Sequence, residues 1–146
     1  HTFGISRHPL ARLYSAYRFA KAGYTGEMGI RNAAKYRSQE FQTFDRFVTK
    51  WLVHQDLTNI DGVFKPQHLY LCEGREIIVD QVFKLEKIGE IESFLSAILE
   101  KETRLSRANI SPFEEDKIID KTTKDIIEEI YQLDYETFGY TTQLDE

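Results

Sequence analysis

The sequence predicts an α/β unit, and three observations carry that expectation. Short apolar runs, over residues 2–6 and again over 77–85, alternate with segments whose apolar residues recur at helical spacing. The 146 residues suffice for a single domain spanning 1–146, which would bury roughly 68–70% of the surface its unfolded chain exposes. A hydrophobic fraction of 41%, with 13% aromatics, is too rich for a disordered segment.

Thr2-Phe3-Gly4-Ile5-Ser6 reads as a short buried strand. Pro9 stands where a helix tolerates it, in a first turn whose N–H groups have no intrahelical partner. Leu10, Leu13, Tyr14 and Tyr17 follow at helical spacing and predict a helix over 10–21. The glycines of Gly23-Tyr24-Thr25-Gly26-Glu27-Met28-Gly29 end it. Without a following Lys-Ser/Thr they read as a flexible connection, not a phosphate loop. Residues 30–42 are polar and basic and read as a loop or a poorly ordered lid. Thr43 suits an N-cap for a helix with Phe44, Phe47, Val48, Trp51 and Leu52 on its inner face. Residues 59–62 carry turn chemistry, and Pro66 makes 64–68 extended or irregular. His68-Leu69-Tyr70-Leu71 and residues 77–85 read as strands on either side of the Glu73-Gly74 turn. Ile88, Ile91, Phe94, Leu95, Ile98 and Leu99 mark another helix. Ile126, Ile127, Ile130 and Tyr131 mark a last one, with Thr122 and Asp125 in capping-box spacing.

Composition excludes several classes. No run of about 18 apolar residues offers a transmembrane helix, and His1-Thr2-Phe3 opens no signal peptide. Cys72 is the sole cysteine, which excludes an internal disulfide and a Cys-based zinc site. No His/Asp/Glu set has metal-ligand spacing, so no metal is expected. Nor is there a Gly-x-Ser-x-Gly nucleophile motif. The net charge is −5, yet residues 1–50 hold nine basic groups against three acids, while 51–100 and 101–146 are net acidic. That asymmetry points the first third at an anion, and the acidic balance overall argues against a general nucleic-acid binder. The chain starts without Met and enters a strand at once, so it is expected to be a piece of a longer protein, cut on its N-terminal side.

The segment from Phe3 to Tyr17 carries the chemistry. A strand end delivers Arg7 just ahead of a helix start, whose orphan N–H groups and partial charge of about +0.5 favour anions. Arg7 offers a planar fork for two phosphate oxygens, Ser15 a hydroxyl, and Arg12 lies three residues before Ser15 on the same face. A fully helical path from Arg7 to Ser15 would separate their backbones by about 12 Å, so Arg7 must fold back along the helix for both to reach one anion. The same residues also suit an ordinary strand-to-helix turn whose arginines cover the surface.

The pattern Arg7-x-Pro9-x-x-Arg12-x-x-Ser15-x-Tyr17 after a short strand resembles the 3′-phosphate motif of sulfotransferases. These enzymes use 3′-phosphoadenosine 5′-phosphosulfate (PAPS) as sulfuryl donor. The likeness is to the carbohydrate group that includes the heparan 2-O and chondroitin 4-O enzymes. Thr43-Phe44-Asp45-Arg46-Phe47-Val48 is similar to that group's Thr-Phe-Asp-Glu-Phe-Val helix start. Phe64-Lys65-Pro66-Gln67-His68 is similar to its (Phe/Trp)-Lys-Pro-Gln segment. Residues 79–86, Val-Asp-Gln-Val-Phe-Lys-Leu-Glu, resemble its strand ending in an acid, and Asp134 to Tyr140 resemble its ending in Phe-Gly-Tyr. The match runs in order along nearly the whole chain.

The resemblance implies a P-loop-NTPase-like sulfotransferase fold, a parallel sheet flanked by helices, of which this chain supplies the later part. It implies sulfuryl transfer from PAPS to a hydroxyl of a glycan or other small acceptor, without a metal. Arg7 and Ser15 would contact the donor's 3′-phosphate, and Arg12 would assist or brace the turn. A looser match places Arg104 and Arg107 in a basic loop that touches the same phosphate. The family's Pro-Lys-(Thr/Ser)-(Ala/Gly)-x-(Thr/Ser)-Ser loop for the 5′-phosphosulfate has no counterpart segment in this sequence. The histidine base of the heparan 2-O enzymes lies upstream of the 3′-phosphate motif, where His1 alone stands. The base is therefore unassigned; His68 is a candidate to face the acceptor, against a structural histidine. His8 lies near the helix start, and His54 reads as surface. Two other readings stay open: a nucleotide-binding remnant, and a helical interaction module whose basic N-terminal face docks an acidic partner. An exposed sheet edge would favour self-association into a homo-oligomer. A bacterial cytoplasmic location is expected, with the Golgi lumen as the eukaryotic alternative; the sequon Asn109-Ile110-Ser111 is followed by Pro112.

Overall fold

The structure, a computed structural model, describes residues 1–23, 33–106 and 119–142. Strand β1 (Phe3–Ser6) leads into helix α1 (Pro9–Ala22). Two 3-10 turns, Ala33–Arg37 and Gln39–Phe41, precede α2 (Phe44–Arg46), which runs on as a π turn, Phe47–Trp51, and a 3-10 turn, Leu52–His54. A further 3-10 turn, Gly62–Phe64, is followed by α3 (His68–Leu71), β2 (Cys72–Glu73), β3 (Glu76–Ile77) and β4 (Gln81–Lys84). After the turn Leu85–Lys87 come α4 (Ile88–Leu99), α5 (Lys121–Ile130) and α6 (Gln132–Phe138). No helix among the described residues is long and apolar enough to cross a membrane.

β1 and β4 pair in parallel, from Phe3 opposite Gln81 to Ser6 opposite Lys84, while β2 and β3 form a small antiparallel hairpin. Parallel pairs need cover on both faces. On one face Phe3 and Phe83 pack against Phe94 of α4, with ring centres 5.3 and 4.8 Å from it. On the other, Leu71 of α3 lies so close to Gly4 that a Cβ there would overlap its methyl groups. Carboxylates bracket the short pair. Asp80, just before β4, accepts the Thr2 N–H at 2.7 Å, and Glu86, just after it, accepts the His8 N–H at 2.7 Å.

The core lies beside α1, whose Leu13, Tyr14, Tyr17 and Ala20 are buried against an aromatic cluster. Tyr36, Phe41, Phe47 and Phe64 are each at most 1% exposed. Buried phenols need acceptors. Tyr17 donates to the Phe41 carbonyl and Tyr131 to the Phe64 carbonyl, both at 2.8 Å. The Tyr36 hydroxyl donates to the buried carboxylate of Asp61, which Lys35 approaches at 3.0 Å. Burial, and then Asp61, push the Tyr36 phenol above its usual range. Asp45 accepts the Thr123 hydroxyl at 2.6 Å and ties α2 to α5.

The structure departs from several sequence expectations. Residues 33–42 are not a lid: their 3-10 turns deliver Tyr36 and Phe41 into the core. His68–Leu71 is a helix rather than a strand, because Asp134 accepts the N–H groups of both Gln67 and His68 and so caps it. The strand expected over 77–85 divides: Ile77 pairs with Cys72, whereas only Gln81–Lys84 joins β1. Between them the Ile78 N–H is drawn to Leu71 and the Asp80 N–H to Thr2. The cap of α5 is Asp120, which accepts the Thr122 N–H, and not the spaced pair Thr122 and Asp125. Thr43 does cap α2, accepting the Arg46 N–H at 3.2 Å. Residues 24–29 of the glycine cluster and the sequon at Asn109 lie outside the described residues.

Phe47 touches the rings of Tyr17, Phe41, Phe44, Trp51 and Phe64. Phe47→Ala is expected to cost about 3–5 kcal/mol, seen as a lower urea midpoint with an unchanged slope.

Candidate functional site

In open parallel sheets, ligands gather beyond the carboxyl ends of the strands. Arg7 is the first residue past that end of β1. Its peptide is gripped on both sides by one side chain. The Arg7 N–H donates to Gln67 Oε1 at 2.8 Å, and Gln67 Nε2 donates to the Arg7 carbonyl at 2.7 Å. Gln67 is held in turn by Asp134, whose side chain is fully buried. Asp134 accepts the Gln67 N–H at 2.7 Å, the His68 N–H at 2.8 Å and His68 Nδ1 at 2.8 Å. A buried carboxylate demands such compensation, and as an acceptor it fixes the proton on Nδ1.

A second set of groups closes on the junction from the other side. Besides the His8 N–H, Glu86 accepts the Tyr140 hydroxyl at 3.2 Å, and that hydroxyl lies 2.9 Å from Ser6 Oγ in a shared hydrogen bond. Burial pushes the Tyr140 phenol above its usual value. Gly139, at φ 62°, takes a left-handed conformation that a side chain would strain, and so turns Tyr140 back from α6. Lys84 donates to the Gly139 carbonyl at 2.8 Å and sits 4.3 Å from the Tyr140 ring centre. His8 is buried among these groups, its Nε2 2.8 Å from the Thr141 carbonyl and its ring edge-on to Tyr135 and Tyr140.

The protein itself withdraws part of what a helix start offers an anion. Glu86 takes the His8 N–H and Pro9 has none.

The two arginines of the segment meet different fates. Arg12 donates Nη1 to the Lys65 carbonyl at 2.7 Å and Nη2 to the Gly62 carbonyl at 3.5 Å, bracing the 62–65 turn. Burial lowers its pKa, with Tyr131, Asp134 and Tyr70 opposing. Arg7 is half-buried, and burial lowers its pKa too; Glu86 opposes this and Arg12 adds to it. An arginine stays cationic through such shifts. Yet the Arg7 guanidinium makes no hydrogen bond or ion pair among the described residues. The Ser15 hydroxyl, half-buried two turns into α1, makes none there either.

The remaining candidates fall elsewhere. Arg104 is exposed and closed onto Glu92 at 3.3 Å and Glu102 at 3.2 Å, which raise its pKa. Arg107 lies outside the described residues. His54 is on the surface. Among the described residues no cluster of His, Cys, Asp or Glu could hold a metal ion.

Gln67, Glu86, Asp134 and Tyr140 were not singled out by sequence reasoning, although each sits inside a segment that carries the resemblance. For Asp134 a signal was available. It falls at helical spacing with Tyr131, Tyr135 and Phe138, on the inner face of the last helices, where a carboxylate must find buried donors.

A family model described as "Sulfotransferase family" matches residues 1–141. No curated protein and no solved structure matches the chain.

Asp134→Asn keeps the shape but replaces one acceptor oxygen with a donor facing N–H groups. It is expected to destabilise the fold by about 1–3 kcal/mol, measured by urea unfolding.

Proposed function

The chain belongs to the sulfotransferase family, and on that footing we propose that it moves a sulfuryl group from PAPS to a hydroxyl of a glycan or other small acceptor, as the carbohydrate group does. The observation that carries this reading is the half-buried Arg7 guanidinium, open among the described residues at the carboxyl end of a parallel strand. A partly desolvated fork of five donors matches a phosphate bidentately and binds it more strongly than the same fork in bulk water. Arg7 binds the donor's 3′-phosphate, Ser15 adds a hydroxyl from α1, and Arg12 keeps the turn beneath them rigid.

The transfer forms a bond from the acceptor oxygen to sulfur as the bond from sulfur to the 5′-phosphate oxygen breaks, and the hydroxyl proton passes to a base. His68 is this chain's candidate for that base. Asp134 engages its Nδ1, and Nε2 has no hydrogen bond among the described residues while the side chain keeps 15% exposure. That is the arrangement by which a buried carboxylate orients an imidazole to accept a proton.

In a thermal shift assay, 3′-phosphoadenosine 5′-phosphate at about a hundredfold excess over its Kd should stabilise the wild type by about 2.7 kcal/mol. Arg7→Ala should abolish the shift, and Ser15→Ala should weaken binding about tenfold or more. A wild type indifferent to the nucleotide overturns the reading. With labelled PAPS and an acceptor, His68→Ala should lower turnover about 10²–10⁴-fold at unchanged donor affinity. Binding by the wild type without any transfer would reduce the proposal to nucleotide recognition.

A further inference from the structure

We propose that Gln67 is a positioning residue of the anion site: its carboxamide fixes the Arg7 peptide and thereby aims the guanidinium. This inference rests on the reading of Arg7 as a donor ligand.

The Arg7 peptide falls between two hydrogen-bonding ladders. The last rung of the parallel pair is Ser6 opposite Lys84, and the first intrahelical bond of α1 runs from the Arg12 N–H to the His8 carbonyl. Neither ladder reaches the Arg7 N–H or carbonyl, and buried backbone groups left without partners are costly. Gln67 serves both at once, an acceptor to the N–H and a donor to the carbonyl, as a neighbouring strand would. A carboxamide is suited to this task. A carboxylate at the same place would set a second acceptor against the Arg7 carbonyl, and an apolar side chain would serve neither group.

The clamp is itself immobile. Pro66 fixes φ just before it, Arg12 holds the Lys65 carbonyl, and Asp134 holds the Gln67 N–H. Gln67 is only 6% exposed, so water does not compete for its amide. Meanwhile, within the described residues, no hydrogen bond to the guanidinium orients the Arg7 side chain. Its direction is inherited from its backbone, and Gln67 is what holds that backbone at the residue itself, with Glu86 on the next N–H. A misplacement of the fork by about 1 Å is enough to spoil bidentate geometry.

The test is titration calorimetry with 3′-phosphoadenosine 5′-phosphate on Gln67→Met, which is nearly isosteric, and on Gln67→Glu, which keeps the acceptor and loses the donor. Affinity should fall roughly tenfold, the order expected for two neutral hydrogen bonds. In an Arg7→Lys background, where no planar fork is left to aim, the same changes should cost no more than about twofold. Thr123→Val, which removes the hydrogen bond to Asp45 between α2 and α5, away from the motif, should lower the melting temperature and leave the affinity unchanged. Should Gln67→Met not fold, Gln67→Glu carries the comparison. Wild-type affinity in the Gln67 variants overturns the role of Gln67 and leaves the donor reading standing. So does an equal loss in the Arg7→Lys background, or an equal loss in Thr123→Val. A wild type that does not bind the nucleotide overturns the donor reading, and this inference with it.

Discussion

A carboxylate out of reach of water must be met by fixed donors, and Asp134 imposes that condition on the whole molecule. Its three donors all come from Gln67 and His68, so α6 cannot shift against the start of α3 without stranding a charge. Through Gln67 the condition passes to Arg7, 60 residues away in sequence, and through the neighbouring Lys65 carbonyl to Arg12. Long-range contacts of this kind carry a loop-closure cost that grows only slowly with separation, whereas an unmet buried charge costs several times more. The junction after β1 is thus located by electrostatics acting across the domain, and the four-residue strand beside it need not do so alone.

That strand pair shows how a short parallel ladder is kept in register. Parallel pairing is slightly weaker per residue than antiparallel pairing, and β1 and β4 offer four rungs. Asp80 and Glu86 extend it at both ends by accepting N–H groups that lie beyond the ladder, at Thr2 and His8. A slip by one residue would part both carboxylates from their donors and would turn Phe3 and Phe83 away from Phe94. The bond to His8 has a second consequence, since it uses a helix-start donor that an isolated sequence offers to any passing anion.

Much of this was legible in the sequence. Pro9 with Leu10, Leu13, Tyr14 and Tyr17 defines α1, and Thr43 with its apolar stripe defines the core helix, because propensity, capping and burial agree there. Three segments of the resemblance hold the residues that the structure brings to the junction after β1, namely Gln67, Glu86, and Asp134 with Tyr140. Legibility fails where distant groups decide. His68-Leu69-Tyr70-Leu71 has a strand-like alternation, but the donors that Asp134 requires wind it into a helix. Tyr36 and Phe41 sit in a polar, basic stretch whose 3-10 turns exist because Asp61 and the core claim those side chains. The roles of Gln67 and Glu86 depend on which backbone groups the two ladders leave out, and periodicity does not record that.

The distribution of charge makes the same point about function. The basic first third suggests an anion-binding face, yet counting cations overstates what is available. Lys35 is committed to Asp61, Lys21 to the Gln42 carbonyl and the Tyr17 hydroxyl, and Arg12 to two backbone carbonyls. Exposed cations such as Arg18 remain, but each is screened by water and salt within about 10 Å. Arg7 differs in being half out of water while its fork makes no hydrogen bond or ion pair among the described residues, and a cation in that position has already lost part of its hydration. A partly desolvated cation interacts more strongly with an opposite charge than a hydrated one does, so burial and pairing, and not the count of basic residues, weight this face.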